Sequence, residues 1–472
     1  MTDTARVDKA FAFINDFKKI VGEQYILLDN ESLVNYGQDQ TEHLLYKPAI
    51  VLKPGTAEEI SDILKLCNQH LIPATPRGAG TGLSGGALPN LGGVLISTER
   101  LNKIINIDER NLQVVTQPGV ITEELQNAVK EKGLFYPPDP SSRGSCFIGG
   151  NISANSGGPK AVKYGVVRDY VLNLQVVLPT GEIIWTGANV LKNSTGYNLT
   201  QLMVGSEGTL GIVTQIVLKL IPLPKYDLLM LVPFKNLEKA SEAVSAIFRA
   251  GFVPSALELV EVEALKIVSD YVQNTTIPID DGVAAHLIIE VDGNNMDVLM
   301  NDMEAISELL LEYEAGEALF ADDAQQKEAL WRMRRRAAEA VKLVGYTIEE
   351  DTVVPRAELP KLIKGIKELG RQYNFHAVCY GHAGDGNLHV RIKKDGTGNS
   401  QDDPEVIAGI KALFELVYSL GGTISGEHGI GLIQKRYINI VFNDTQLHLM
   451  RGIKKVFDPN NILNAGKIFD LQ

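Results

Sequence analysis

PRGAGTGLSGGALPNLGG occupies residues 76–93, and its reading decides the fold. Seven of the sixteen positions from Gly78 to Gly93 are glycine, directly after a short apolar stretch, Leu71–Thr75, that reads as a strand. Glycine at this density forfeits backbone entropy and side-chain packing. It makes sense where bare backbone N–H groups must curl around something anionic. A flexible surface loop is the plain alternative, and two further stretches speak against it. Residues 149–158 read GGNISANSGG, with small side chains almost throughout, and residues 205–211 read GSEGTLG and lead into another apolar strand. Three such loops imply one large cofactor lying across several backbone segments.

Gly80-Thr81-Gly82-Leu83-Ser84-Gly85 matches the pattern GxGxxG. In the dinucleotide fingerprint those glycines open a helix whose N-terminus faces the pyrophosphate. Here Ala87-Leu88-Pro89-Asn90 and Gly92-Gly93 follow, which no helix survives, and the pattern GxxxxGK[ST] is absent. The loop is expected to hold phosphate as a nest of backbone amides, which disfavours an NAD domain.

PATPRGAGTGLSGG (73–86), YPPDPSS (136–142), GGNISANSGG and STGYNLTQLMVGSEGTLGIVT (194–214) together resemble the FAD-linked oxidases of the vanillyl-alcohol oxidase/PCMH type. The second half resembles their D-2-hydroxy-acid dehydrogenase branch, which includes D-lactate dehydrogenases, the glycolate oxidase catalytic subunit and D-2-hydroxyglutarate dehydrogenases. The likeness runs from about residue 45 to residue 470. It implies an α+β protein, with a PCMH-type FAD-binding domain of two subdomains and a C-terminal α+β substrate or cap domain on an antiparallel sheet. The flavin contacts it implies begin in the first loop with Pro76, Arg77, Gly78, Ala79, Gly80, Thr81, Gly82 and Ser84. Pro138, Asp139 and Ser141 follow, then Gly149, Gly150, Ser153, Asn155 and Gly157, then Glu207, Gly211 and Ile212. Asn464 lies in a tail, FDPNNILNAGKIF (457–469), that returns to the flavin domain. Members that bind flavin covalently often carry a histidine in the first loop. Thr81 and Ser84 stand there, and no histidine falls between His70 and His286, so non-covalent FAD is expected.

Five of the eight histidines fall in the last hundred residues. Three belong to two glycine-flanked motifs, CYGHAGDGNLHVRI (379–392) and SGEHGIG (425–431). Asp385-Gly386 is a two-residue hairpin signal. With that pair as the loop, Gly384 faces Asn387 and His382 faces His389, close enough for two imidazoles to share one ion. Two histidines and a carboxylate suit a divalent metal with positions left open for substrate. Histidines that merely satisfy core hydrogen bonds are the competing reading. The resemblance makes His382, His389 and Glu427 the ligands of a divalent metal, and zinc, iron and manganese stay open. His428 is then the base that takes the substrate hydroxyl proton as hydride leaves for the flavin. Glu427 as base and His428 as ligand is the alternative assignment.

A carboxylate substrate calls for an arginine, and LWRMRRRAA (330–338) offers four on one helix. Successive residues turn by about 100°, so the four cannot all face one pocket. Trp331, if buried, brings Arg334 to its side, and the resemblance also points to Arg334. Ala338 stands where the D-2-hydroxyglutarate enzymes place a threonine, and Glu349-Glu350-Asp351 where they offer a lysine. A second carboxylate is expected to be poorly served and repelled there, so a small monocarboxylate such as D-lactate or glycolate is expected. A D-2-hydroxyglutarate dehydrogenase is the alternative. A non-redox flavoprotein of the alkyl-glycerone-phosphate synthase type and a flavin-free metallohydrolase are further ones. The electron acceptor is left open among oxygen, a quinone, an electron-transferring flavoprotein and an iron–sulfur subunit.

The net charge of −13 argues against nucleic acid, whose binding rests on clustered Lys and Arg. Cys67, Cys146 and Cys379 lie far apart without a CxxC, which fits reduced core thiols and a cytoplasmic setting. The first 22 residues lack the apolar core of a signal peptide. Peripheral attachment at the inner face of the membrane stays open. Pro222-Leu223-Pro224 marks a boundary. The expected domains are 1–222 for FAD, 223–425 for substrate, and 426–472 returning to the flavin. Beyond the boundary, long helices alternate with strands, which suggests helices on one face of an antiparallel sheet.

Overall fold

The computed structural model describes residues 9–273, 279, 282–321, 323–395 and 403–471; the first eight residues of the N-terminal reading lie outside them. The chain divides into two compact units. One comprises Met1–Ser156, Val166–Leu223 and Glu427–Gln472, and the other Gly157–Gly165 and Pro224–Gly426. Residues 157–165 thus pack with the second unit, where an unbroken first domain was expected.

In the first unit the strands Ile26–Leu27, Ile50–Leu52, Val94–Ser97 and Ala74–Arg77 lie side by side in that order. The last three run parallel. Helix Ala57–His70 covers them, with Ile60, Ile63 and Leu64 buried against Ile50, Leu52, Val94 and Ile96. The Thr56 hydroxyl caps that helix by accepting the Glu59 N–H at 3.1 Å. Glu59 reaches back to the Gly55 N–H at 2.7 Å, one residue before the position a capping box uses. Ile462 and Leu463 of the C-terminal tail complete the same core. A second sheet is antiparallel throughout, in the order Ile104–Asp108, Gln113–Thr116, Ile212–Lys219, Val171–Val177, Ile183–Trp185.

The glycine stretch 78–93 contains neither helix nor strand, as its composition requires. GGNISANSGG departs from the loop expected of it, because Ile148–Ala154 is a short helix ended by Asn155 at φ +54°. Packing overrides propensity there. A Cβ on Gly149 would lie 2.4 Å from the Pro118 Cβ, so the missing side chain lets this turn sit on a neighbouring segment.

The second unit is built on a seven-stranded antiparallel sheet, ordered Leu319–Phe320, Tyr226–Phe234, Ala285–Gly293, Ala256–Glu261, His376–Gly381, Asn387–Lys393, Ile348–Val353. Helices Val262–Val272 and Ala324–Leu343 bury Leu265, Val268, Trp331 and Ala337 against Ala256, Val260, Ile288 and Tyr380. The intervening residues Leu257, Leu259, Leu287 and Ile289 point to the other face and are equally buried. Both faces are therefore covered, not one. Helices Leu237–Arg249 and Leu359–Gln372 also pack against the central strands. Cys67, Cys146 and Cys379 are buried and form no disulfide. Among the described residues no helix is long and apolar enough to cross a membrane.

Candidate functional site

Within the first unit the implied flavin residues separate by what their side chains already do. Gly82 and Gly150 face open space, since a Cβ on either would meet no atom within 4 Å. The first two loops come together, a Cβ on Gly78 lying 3.8 Å from the Gly150 backbone. Gly80 adopts φ +74°, a conformation L side chains resist. Arg77 is buried at the end of its strand, and its Nη1 has no hydrogen-bond partner among the described residues. Burial lowers its pKa, and Asp39 opposes that shift. A buried guanidinium beside open-faced glycines suits a pyrophosphate. Pro138 and Asp139 are buried, while Ser141 is exposed. Gly157 belongs to the segment that packs with the second unit.

Other implied positions are committed to the protein itself. Both Glu207 carboxylate oxygens accept backbone N–H groups, from Ile430 at 2.8 Å and Gly431 at 2.7 Å. Burial raises the Glu207 pKa, and those two amides hold it back. Asn464 donates to the carbonyls of Gly86 (2.9 Å) and Glu207 (2.7 Å) and accepts from Lys467 (3.0 Å). The Lys467 ammonium, pushed down to about 7 by burial, also donates to the Leu88 carbonyl at 2.6 Å. A Cβ on Gly211 would strike the Val176 side chain at 2.4 Å, and Ile212 lies in the core. Ser84 donates from its hydroxyl to the His428 carbonyl at 2.9 Å. A Cβ on Gly431, at φ +49°, would lie 2.1 Å from the Ser84 carbonyl oxygen. These residues fix the SGEHGIG segment and the tail onto the glycine loop.

Gly82→Val separates fold from cofactor. Nothing lies near the added side chain in the protein, so melting of the flavin-free protein should be unchanged while FAD occupancy collapses. Full flavin content in the purified variant, read from its absorbance ratio, contradicts the phosphate-nest reading.

The second unit brings His382 and His389 together, their ring centroids 5.6 Å apart and nearly perpendicular. Their pairing differs from the expected one. His389 opposes Tyr380, and His382 falls in the turn between the strands His376–Gly381 and Asn387–Lys393. The His382 carbonyl accepts the Asn387 N–H at 3.1 Å, so a wider turn with a 3₁₀ segment at Ala383–Asp385 replaces the two-residue loop.

Glu258 escaped the sequence reading. It is fully buried on the strand Ala256–Glu261, where Val260 opposes Tyr380 and Leu259 opposes Gly381. That register carries on to set Glu258 beside His382. One carboxylate oxygen lies 2.7 Å from His382 Nδ1, and the other accepts the Arg334 Nε–H at 2.6 Å. Burial pushes the Glu258 pKa up, and its interactions with His382 and Arg334 outweigh it, holding the carboxyl below its usual range. Arg334 is buried as expected, on the same helix side as Trp331, which donates to Glu290 at 3.1 Å. The Arg334 guanidinium lies 5.3 Å from the Tyr380 ring centre, and its Nη2 is buried with no hydrogen-bond partner among the described residues.

The acidic run lies on the strand Ile348–Val353, where Glu349 and Asp351 each hold protein partners. Asp351 accepts from Asn387 (2.7 Å), the Ser425 hydroxyl (2.9 Å) and the Gly426 N–H (2.8 Å). Glu349 opposes Arg391 across the sheet, pairs with its guanidinium, and lies 3.5 Å from His389 Nδ1. Arg391, also missed, is buried and donates to the Tyr380 hydroxyl at 3.2 Å. Glu427 and His428 follow Gly426 directly in the chain and fall in the first unit.

Fold and loops together define a flavin-binding oxidoreductase. Residues 48–187 match the family described as FAD binding domain, and residues 223–468 match FAD linked oxidases, C-terminal domain. The glycolate oxidase subunit GlcD of Bacillus subtilis is 41% identical, over 93% of this chain and 93% of its own. D-lactate dehydrogenase of Anaerostipes hadrus is 38% identical, over 96% of both chains. Among solved structures, p-cresol methylhydroxylase shares the fold with a TM-score of 0.80 at 18% identity, covering 98% of this chain and 97% of its own. The chain belongs to the FAD-linked oxidase family and is an FAD enzyme.

Proposed function

We propose that this protein oxidises a small D-2-hydroxy monocarboxylate, such as D-lactate or glycolate, to the 2-oxo acid, using non-covalent FAD and a divalent metal. The names of the relatives support the substrate class. Arg334 carries the reading: a buried guanidinium held by Glu258 beside a histidine pair, with Nη2 lacking an acceptor among the described residues, suits one carboxylate. Arg391 is a second buried guanidinium in the same sheet, but Glu349 neutralises it. A distal carboxylate therefore gains little from Arg391.

Bound FAD supplies the hydride acceptor, and a divalent ion (zinc, iron or manganese) supplies a Lewis acid for the substrate hydroxyl. His382 and His389 are its proposed ligands with Glu427, the residue after Gly426. The donor set fits, since the Glu258 carboxylate on His382 Nδ1 leaves Nε2 as the ligating nitrogen. Arg334 holds the substrate carboxylate, and His428 takes the hydroxyl proton. Pro76, Arg77, Gly78, Ala79, Gly80, Thr81, Gly82, Pro138, Gly149, Gly150, Ser153 and Asn155 are proposed to line the flavin. Ser84, Glu207 and Asn464 are proposed to hold its loops in place.

Anaerobic titration with D- and L-2-hydroxy acids, followed by the flavin band, tests this. D-lactate or glycolate should bleach the flavin, with kcat/KM above that for D-2-hydroxyglutarate. A clear advantage for the dicarboxylate refutes the monocarboxylate reading. Flavin that no hydroxy acid reduces favours a non-redox role of the alkyl-glycerone-phosphate synthase type.

A further inference from the structure

Glu258 is a charged residue in the middle of an apolar strand, ALELVE, with a side chain that is 0% exposed. A carboxylate buried so deeply is costly unless every lone pair is used. Its partners are not random core donors. Oε1 meets His382 Nδ1 at 2.7 Å and Oε2 meets Arg334 Nε at 2.6 Å, so one rigid group touches both residues assigned above to the metal and to the substrate carboxylate.

We propose that Glu258 is a positioning residue that aligns the metal-binding and carboxylate-binding halves of the site; this rests on the function proposed above. A neutral imidazole carries one N–H. A carboxylate acceptor at Nδ1 places the proton there and leaves the lone pair on Nε2, with the ring plane fixed by the hydrogen bond. The same carboxylate anchors the Arg334 fork at Nε, while the Tyr380 ring, 5.3 Å from the guanidinium carbon, backs its plane. Nη2 is left buried and without a hydrogen-bond partner among the described residues, where a ligand carboxylate can meet it. Ion and carboxylate site are thereby held at a fixed separation by a single side chain on a central strand.

The test compares the full-length, FAD-loaded protein with Glu258→Gln. Glutamine has the same shape, but its amide nitrogen takes the place of one carboxylate oxygen and cannot accept the N–H that faces it. The variant should keep its flavin spectrum and circular dichroism. Its affinity for Zn²⁺ or Mn²⁺, measured by titrating metal-stripped protein, should fall about 10–100-fold, and KM for D-lactate should rise. A group that only neutralises Arg334 in the core predicts lower stability with unchanged ion affinity in the folded fraction. Equal ion affinity in folded Glu258→Gln and wild type overturns the proposal while leaving metal dependence intact. Wild-type protein that binds no divalent ion overturns the reading beneath it and the proposal together. If Glu258→Gln does not fold, imidazole ¹⁵N shifts of histidine-labelled wild type, assigned with His382→Asn, decide the matter. The Nδ1–H tautomer of His382 is expected, and an Nε2–H tautomer overturns the proposal.

Discussion

Alanine at position 428 should slow substrate-driven flavin reduction about 10²–10⁴-fold, the range a positioned general base supplies. The segment that carries His428 is held by its backbone. Its carbonyl accepts the Ser84 hydroxyl at 2.9 Å, and the two amides that follow Gly429 are received by Glu207 at 2.8 and 2.7 Å. Removing the imidazole leaves these bonds in place, so the loss should fall on the chemical step and not on flavin content. Imidazole is the side chain best suited to proton transfer at physiological pH. Stopped-flow reduction by D-lactate under anaerobic conditions measures the effect. A variant that keeps its rate but loses its metal would exchange the roles of Glu427 and His428.

Much of this was legible in the chain because glycine and proline punctuate it. The stretch 78–93 could form no helix, and it forms none. The Thr56 cap starts helix Ala57–His70, whose buried Ile60, Ile63 and Leu64 share one face. Propensity failed where packing decided. GGNISANSGG reads as loop, but its first six residues belong to a seven-residue helix in which Gly149 sits against Pro118. The hairpin signal Asp385-Gly386 marked the turn correctly and its register wrongly. A 3₁₀ segment widens the turn, so His389 faces Tyr380 while His382 reaches its neighbour from the turn itself. Glu258 was invisible for a different reason. It meets His382 across 124 residues of chain, through strand pairing that no local pattern encodes. A signal did exist in ALELVE, since a lone carboxylate inside an apolar strand must find partners. The partners of Glu349 and Asp351 were hidden in the same way, since Arg391, Asn387 and Ser425 reach them from elsewhere in the sheet unit.

Metal removal should give the largest effect of all. Exhaustive chelation is expected to leave the protein yellow, with FAD still released by acid or heat, yet to lower flavin reduction by D-lactate by about 10³-fold or more. That figure corresponds to the several kcal/mol a Lewis acid contributes to charge stabilisation. The two losses should separate because the first glycine loop belongs to the first unit, whereas two of the three proposed ligands, His382 and His389, belong to the second. His382→Ala and His389→Ala should each reduce bound ion to a small fraction of wild type and should not respond to added metal at micromolar levels. His389→Ala also takes away a neighbour of Glu349, but the Glu349–Arg391 pair remains, so the sheet should persist and the protein should melt near the wild-type temperature. Adding back zinc, iron and manganese separately to chelated wild type identifies the working ion by which of them restores the rate. Undiminished turnover after chelation, with residual metal verified to be far below one ion per chain, would falsify the metal assignment. His382 and His389 would then be a hydrogen-bonded core pair oriented by Glu258.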